Sequence, residues 1–342
     1  VKNSDIMTEI KKAIPEGIEF DEEGFRQATP PEIADYKAKR LSNVSIADLG
    51  SGIGIQAIFF SRYFKHVVAI EKDKTRYRFI ERNIKKLGIN NVSLYHGDVF
   101  TTKLYNEISS CEIIFSDPSR PVKGKEWALE MLSPSPLQII SYFKSNEKFS
   151  FDIPVQISRE RIPEDYEMEY ISLDGEIKRL SIYSPALKKF ERSALLLPEG
   201  DRIEYNPNIS REINSSDFPM HYLYEIDPAI SYADLIPEFF SLFNNMYMFI
   251  NERKRVISTS ENFYRDPRMK NIYVVSFKAN SVKKVRENLK KNSARKVFLR
   301  YNVNSFDYYR IKKDLEKDLD GDNDFYIFKK GEEFIGAIKL RV

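Results

Sequence analysis

Seven residues constrain this chain more than any other stretch: Asp48-Leu49-Gly50-Ser51-Gly52-Ile53-Gly54. They follow the apolar run VSIAD (44–48) and open the helical run GIQAIFFSRYF (54–64). Glycines at alternate positions let the backbone turn sharply and approach a ligand closely. The helix that follows brings its unpaired N–H groups to the same place. A strand–loop–helix unit with a ligand over the loop is the expectation. A dinucleotide-binding turn has the fingerprint GxGxxG, but here the third glycine comes one residue early and Ile55 holds its position. A phosphate-cradling P-loop is excluded, because no Gly-Lys-Ser/Thr closes the stretch.

The alternation continues beyond the loop. HVVAIE (66–71) reads as a strand, and DKTRYRFIERNIKKLG (73–88) as a helix with Phe79, Asn83 and Lys86 on successive turns and Gly88 as its stop. VSLYHG (92–97) and CEIIFSD (111–117) are further strands. Strands alternating with helices imply right-handed βαβ units and a Rossmann-like parallel sheet, so the fold class is α/β. Four acids stand at strand ends: Asp48, Glu71, Asp98 and Asp117. Ligands of such sheets bind at the carboxyl ends of the strands. Glu71 comes 21 residues after Gly50, where an acid can accept both hydroxyls of a ribose.

Length and composition set the frame. At 342 residues the chain is long enough for two domains. Apolar residues make up 42% and charged residues 31%, which allows a packed core and rules out general disorder. One cysteine, Cys111, excludes a disulfide framework and any cysteine-based zinc site. It reads as a small buried residue, which disfavours a covalent cysteine mechanism. Three scattered histidines form no HExxH. No apolar run approaches the roughly 20 residues that span a bilayer, and the polar start VKNSDIMTEIKK is no signal peptide. A soluble, cytoplasmic protein without membrane partners, working as a monomer, is the expectation.

Residues 1–42 read as an N-terminal helical segment broken at Pro30-Pro31, with Ile33, Tyr36 and Leu41 on one helical face. Residues 43–205 read as the Rossmann-like domain. Its last strands, FSFDIPVQI, EMEYISL, EIKRLSIY and RSALLLP, form an antiparallel end with a hairpin at Asp174-Gly175. The polar run 206–217 is a linker. Residues 218–342 make a smaller α+β domain: a helix around 233–250, strand 271–277, helix 280–292, strand 296–300, a helix near 305–319 and two closing strands.

The pattern Asp-x-Gly-x-Gly-x-Gly resembles motif I of class I S-adenosylmethionine-dependent methyltransferases. That cofactor carries a sulfonium and an ammonium but no pyrophosphate, so a carboxylate beside the loop suits it. The resemblance implies that Asp48, Gly50, Gly52, Gly54, Glu71, Lys72, Asp98, Val99 and Asp117 surround S-adenosylmethionine, with Asp98 near the adenine amino group and S-adenosylhomocysteine as product. Asp117-Pro118-Ser119-Arg120 resembles motif IV of amino-methyltransferases. There Asp117 would accept an N–H hydrogen bond from the target, and Pro118 would stiffen the turn and offer its carbonyl. Arg120 stands where the motif has an aromatic ring, so it would stack on a base or pair with a phosphate.

Further segments resemble one methyltransferase family with a C-terminal THUMP-like domain, over nearly the whole chain. They are GFRQATPPEIADYKAKRL (24–41), SDPSRP (116–121, with Pro121 where the family has a second arginine), SPSPLQII (133–140), EMEYISLDGEIKRLSIY (167–183), ERSALLL (191–197) and HYLYEIDPAI (221–230). The resemblance places Gln27, Thr29 and Pro30 beside the cofactor or target pocket, although Thr29 also reads as a helix N-cap. It implies a methyltransferase acting on RNA.

The near-neutral total of 54 basic against 51 acidic residues hides an asymmetry. Residues 265–313 hold 15 Lys/Arg against 3 Asp/Glu. The stretch includes Lys283, Lys284, Arg286, Lys290, Lys291, Arg295, Lys296 and Arg300, interleaved with Tyr301, Phe306, Tyr308 and Tyr309. Clustered cations meet phosphates, and aromatic or guanidinium planes meet unstacked bases. A structured RNA, tRNA or rRNA, is the expected partner. A small-molecule or protein methyltransferase, and a non-catalytic RNA-binding protein on a relic fold, stay open as alternatives.

Overall fold

The computed structural model describes residues 18–120, 127–252 and 255–341. The chain divides into two compact units: residues up to 173 with 177–198, and residues 174–176 with those from 199 onward.

The first unit is built on strands β1 (Ser45–Leu49), β2 (His66–Glu71), β3 (Val92–His96), β4 (Ile113–Ser116), β5 (Phe149–Ile153), β6 (Glu167–Leu173), β7 (Glu176–Tyr183) and β8 (Arg192–Leu197). They lie side by side in the order β3-β2-β1-β4-β5-β7-β6-β8. Pairings from β3 through β5 are parallel, β7 is antiparallel to β5, and β8 is parallel to β6. The expected antiparallel end is therefore a reversal confined to β7. Asp174 and Gly175 carry φ of 52° and 69°, the left-handed pair that a two-residue hairpin demands. That turn reverses the chain once, and the return after β7 reverses it again, so β8 runs with β6.

Side chains of β1 and β2 are buried almost throughout, as befits central strands covered on both faces. The helix Lys74–Lys86 starts where Asp73 accepts the N–H groups of Thr75 and Arg76. It stops before Gly88, whose φ is +65°. Its core face is Ile80 and Asn83, with Phe79 only partly buried and Lys86 exposed. The helix opened by the glycine loop is short, Ile55–Phe60. Helices Thr102–Ser109 and Pro136–Tyr142 complete the crossovers. Two N-terminal helices, α1 (Glu22–Gln27) and α2 (Pro31–Leu41), place Phe25, Ala34, Ala38 and Leu41 in one core cluster with Ile53, Ile58, Phe60 and Phe115.

The second unit carries β9 (Asp201–Glu204), β10 (Tyr222–Ile226), β11 (Tyr247–Glu252), β12 (Arg255–Ser260), β13 (Met269–Ala279), β14 (Ala294–Leu299), β15 (Asn323–Lys330) and β16 (Glu333–Lys339). The last seven form one sheet, β11-β12-β10-β13-β16-β15-β14. Helices Val282–Lys291 and Ser305–Leu315 pack Val285, Leu289 and Leu315 against Phe277, Val297, Phe325 and Ile327. The helix expected over 233–250 is absent. Two one-turn helices, Pro228–Tyr232 and Ile236–Phe240, precede β11 instead. Asp234 and Asn245 hold φ of 54° and 57°, a left-handed backbone that ends a helix. No helix among the described residues is long and apolar enough to cross a membrane.

Candidate active site

The glycine loop leaves β1 at its carboxyl end. Gly50, Gly52 and Gly54 all have positive φ, at 81°, 60° and 87°. A side chain at Gly54 would meet Ile80 at 3.0 Å, whereas among the described residues nothing lies within 4 Å of one at Gly52. Gly54 thus serves packing, and Gly52 keeps space open over the loop. The Gly50 and Ser51 N–H groups both donate to the Ile70 carbonyl, and Gly52 N–H donates to Glu71 Oε2 at 2.7 Å. Glu71 Oε1 accepts from Asp73 N–H at 2.7 Å. The Glu71 carboxylate therefore ties the loop to β2, and a carboxylate of about four acceptor sites keeps capacity for a ligand.

Asp48 is buried, and among the described residues its Oδ2 has no hydrogen-bond partner. Burial, with Asp117, Glu71 and Asp152 nearby, pushes its carboxyl up to about 7. The folded chain then holds a proton that the unfolded chain releases near pH 4, so this group's contribution to stability falls as pH rises from about 4 to about 7. Asp48→Asn should flatten that decline. Denaturant unfolding at pH 5 and pH 8 measures it, and an unchanged slope refutes it.

At the end of β3, Asp98 pairs with Lys72 at 2.8 Å and accepts the Phe100 N–H. The hydrogen bond from Lys72 holds the Asp98 carboxyl below its usual range. Val99 is buried between these polar groups. An open cavity of about 560 Å³ adjoins them, lined by Phe100, Glu130, Leu137, Gln138 and Tyr142.

Asp117 directly follows β4, and after it come buried Pro118 and exposed Ser119 and Arg120. Ser119 and Ser133 exchange backbone hydrogen bonds of 2.8 and 3.1 Å, and Ser119 Oγ donates to the Ser133 carbonyl. Pro134 Cδ lies 3.9 Å from where a Gly50 Cβ would stand. The two Ser/Pro stretches thereby sit together beside the glycine loop. Pro121 lies outside the described residues.

The N-terminal helices pack directly on this site. A Cβ at Gly24 would meet Ile53 Cγ2 at 2.3 Å, so α1 lies against the glycine loop. Thr29 is buried beside Pro30, and α2 has no side-chain cap, which corrects the N-cap reading of Thr29. Gln27 bonds to Glu23 on the outside of α1.

Sequence reasoning missed what stands behind Asp117. Its Oδ2 accepts from Arg179 at 2.9 Å, and the same Arg179 nitrogen donates to Asp152 at 2.8 Å. Asp152 in turn meets Lys37 at 2.7 Å, and both side chains are buried to within 1%. Burial alone would raise the Asp152 carboxyl, but Lys37 and Arg179 outweigh it and hold it below its usual range. Two signals were present. Lys37 sits four residues from both Ile33 and Leu41, on the buried face of α2, and Asp152 interrupts the apolar strand Phe149–Ile153.

Cys111 is buried, and desolvation pushes its thiol up to about 12, which suits packing rather than nucleophilic chemistry. No group of three metal-ligating side chains occurs among the described residues.

The basic residues of the second unit separate into three kinds. Arg286, Lys290 and Arg295 pair with Asp314, Asp318 and Asp324. Arg300 turns inward, 3.8 Å from buried Glu225 and over the Tyr326 ring. Lys283, Lys284, Lys291 and Lys296 are exposed and have no acidic partner within ion-pair distance among the described residues. Phe306 and Tyr309 are 93% and 78% exposed, while Tyr301 and Tyr308 pack on the core.

Strand order 3-2-1-4-5-7-6 with only β7 reversed defines the Rossmann-like class I methyltransferase fold. A solved structure of a candidate methyltransferase from Porphyromonas gingivalis W83 superimposes with a TM-score of 0.78 at 15% identity, over 99% of this chain and 89% of that one. Residues 35–135 match the family described as Conserved hypothetical protein 95. An uncharacterized protein of Acanthamoeba polyphaga mimivirus is 29% identical over 97 residues, 28% of this chain and 35% of that one. An uncharacterized protein of Methanocaldococcus jannaschii is 35% identical over 72 residues, 21% of this chain and 27% of that one. The chain thus spans about a third or less of the length of these curated relatives.

Proposed function

We propose that the chain is an S-adenosylmethionine-dependent methyltransferase that modifies a base nitrogen of a structured RNA, tRNA or rRNA. The observation that carries this reading is the meeting of Asp117-Pro118 with the glycine loop at the carboxyl ends of β1 and β4. Two features support the fit of the cofactor: the unpartnered buried Oδ2 of Asp48 and the open space at Gly52. The cofactor supplies an electrophilic methyl group on a sulfonium. Around it, Glu71 would use its remaining acceptor capacity for the ribose, and Lys72, Asp98 and Val99 would border the adenine. Gly50 and Gly54 shape the turn, and Thr29 closes the side formed by the N-terminal helices. Asp117 would accept the target's N–H and aim its lone pair, so positioning supplies most of the rate. The Pro118 carbonyl is a second acceptor, and Arg120 would meet a base face or a phosphate.

For the RNA, the domain at 218–342 would dock phosphates on Lys283, Lys284, Lys291 and Lys296, with Phe306 and Tyr309 as planes for unstacked bases. Arg286, Lys290 and Arg295 would join only by exchanging their carboxylates for phosphates, and Arg300 would act from inside. The chain would work as a cytoplasmic monomer.

Isothermal calorimetry with S-adenosylhomocysteine tests the cofactor half, and absence of binding sinks it. Gly52→Ala sharpens the test. Its positive φ costs about 1–2 kcal/mol, and the added methyl fills the open space. We expect at least about tenfold weaker binding, and unchanged affinity would contradict the placement. Labelled methyl from S-adenosylmethionine should enter the RNase-sensitive fraction of a cell extract. Label that resists RNase would favour a small-molecule or protein substrate.

A further inference from the structure

We propose that Arg179 is the positioning residue of Asp117, and that Lys37 extends this hold from the N-terminal helix α2 into the site. The inference rests on the transferase reading above and deepens it.

Arg179 Nη1 bridges two carboxylates, at 2.9 Å from Asp117 Oδ2 and 2.8 Å from Asp152 Oδ2. The other Asp152 oxygen accepts from Lys37 at 2.7 Å and from Ser181 Oγ at 2.6 Å. Lys37 also donates to Ser181 Oγ and to the Tyr183 hydroxyl, at 2.6 and 3.0 Å. Tyr183 passes its proton donation to Glu169 at 2.7 Å, and Glu169 accepts from Tyr36 of α2 at 2.6 Å. Arg40, also on α2, lies over the Tyr183 ring and binds Glu167. Donors and acceptors match at each of these links: the cations Lys37 and Arg179 donate to both sides, and the carboxylates of Asp117, Asp152 and Glu169 accept.

A buried ion pair is by itself weak evidence for stability. The informative feature is where this one ends. Lys37 and Asp152 are buried, Arg179 is nearly so at 12% exposed, and Asp117 reaches solvent at 37%. The network thus delivers an anchored carboxylate to an accessible place. Oδ2 is engaged, and among the described residues Oδ1 takes no hydrogen bond, which leaves it for a target N–H.

The charges facing Asp117 come from several elements: Asp48 at β1, Asp152 on β5, Arg179 on β7 and Arg120 in its own turn. Desolvation and Asp152 raise the Asp117 carboxyl, while Arg179 and Arg120 act against them. Without Arg179, Asp117 and Asp152 lose the cation between them, and a shared proton becomes the stable state at higher pH. A protonated Asp117 is a poorer acceptor for the target.

The test uses the full chain with 13C-labelled aspartate carboxyls, followed by NMR through a pH titration, together with transfer kinetics on RNA. In Arg179→Gln the Asp117 midpoint should rise by about one unit or more. The acid limb of kcat should follow it, and kcat should fall about tenfold or more with the KM for S-adenosylmethionine unchanged. Arg179→Lys restores the cation, so it should return the midpoint and recover part of kcat even if the glutamine variant folds poorly. An unmoved midpoint overturns the proposal, as does a moved midpoint with unchanged kcat. A wild-type chain that transfers no methyl group fails the transferase reading instead, and the titration still shows whether Arg179 governs Asp117.

Discussion

Asp117→Ala should reduce methyl transfer by about 100-fold or more, while S-adenosylhomocysteine affinity stays within about twofold. The first part follows from the geometry of an in-line displacement, in which a misplaced lone pair costs more than any lost contact in the ground state. The second follows from the neighbours of Asp117. Arg179 keeps Asp152 as a partner when Asp117 is removed, so no buried cation is left alone. The glycine loop is held by Ile70 and Glu71 and not by Asp117. Single-turnover transfer and calorimetry on the same preparation separate the two effects. Equal loss of both would place Asp117 in the cofactor site and remove it from the role of target acceptor.

Lys37→Met should destabilise the first unit by about 1–3 kcal/mol, because the change removes one of the two cations that hold the buried carboxylate of Asp152. Methionine matches the lysine stem in volume, so the loss reports the charge and not a cavity. Asp152 would retain Arg179 and Ser181 but lose its 2.7 Å cation, and Tyr183 would lose a donor. Adding Asp152→Asn should recover part of the loss, since the carboxylate that Lys37 no longer balances is then gone. Urea unfolding of the two single variants and the double variant forms a closed cycle. Losses that simply add would show that the pair is not coupled.

The site was legible where backbone chemistry writes itself into composition. Alternating glycines after an apolar run and acids at strand ends name their own positions, so Asp48, Glu71, Asp98 and Asp117 could be placed at the carboxyl ends of neighbouring strands. Asp174-Gly175 was equally plain, because a two-residue hairpin needs left-handed φ. The relay behind Asp117 was harder to see. Lys37, Asp152 and Arg179 are far apart in sequence, and their pairing exists only once β5, β7 and α2 are packed. A lysine on the apolar face of α2 was the visible clue. The helix misread over 233–250 had a different cause. Its apolar residues satisfy a helical period, but Asp234 and Asn245 accept left-handed backbone that their neighbours do not announce. On the basic stretch, counting charges overstated the available cations, because acids from 314–324 and Glu225 neutralise about half of them in three dimensions.

The contact of Gly24 with Ile53 and the burial of Lys37 bear on how such a chain can be cut and recombined. A fragment beginning at β1 would contain every glycine and acid of the cofactor loop. It would also carry Asp152 and Glu169 without the lysine and arginine that α2 supplies, and an apolar loop surface that α1 normally covers. The smallest transplantable module therefore starts ahead of Gly24. Chimaeras that exchange only the sheet between relatives should lose stability through the missing cations of α2, whatever the quality of their cofactor loops.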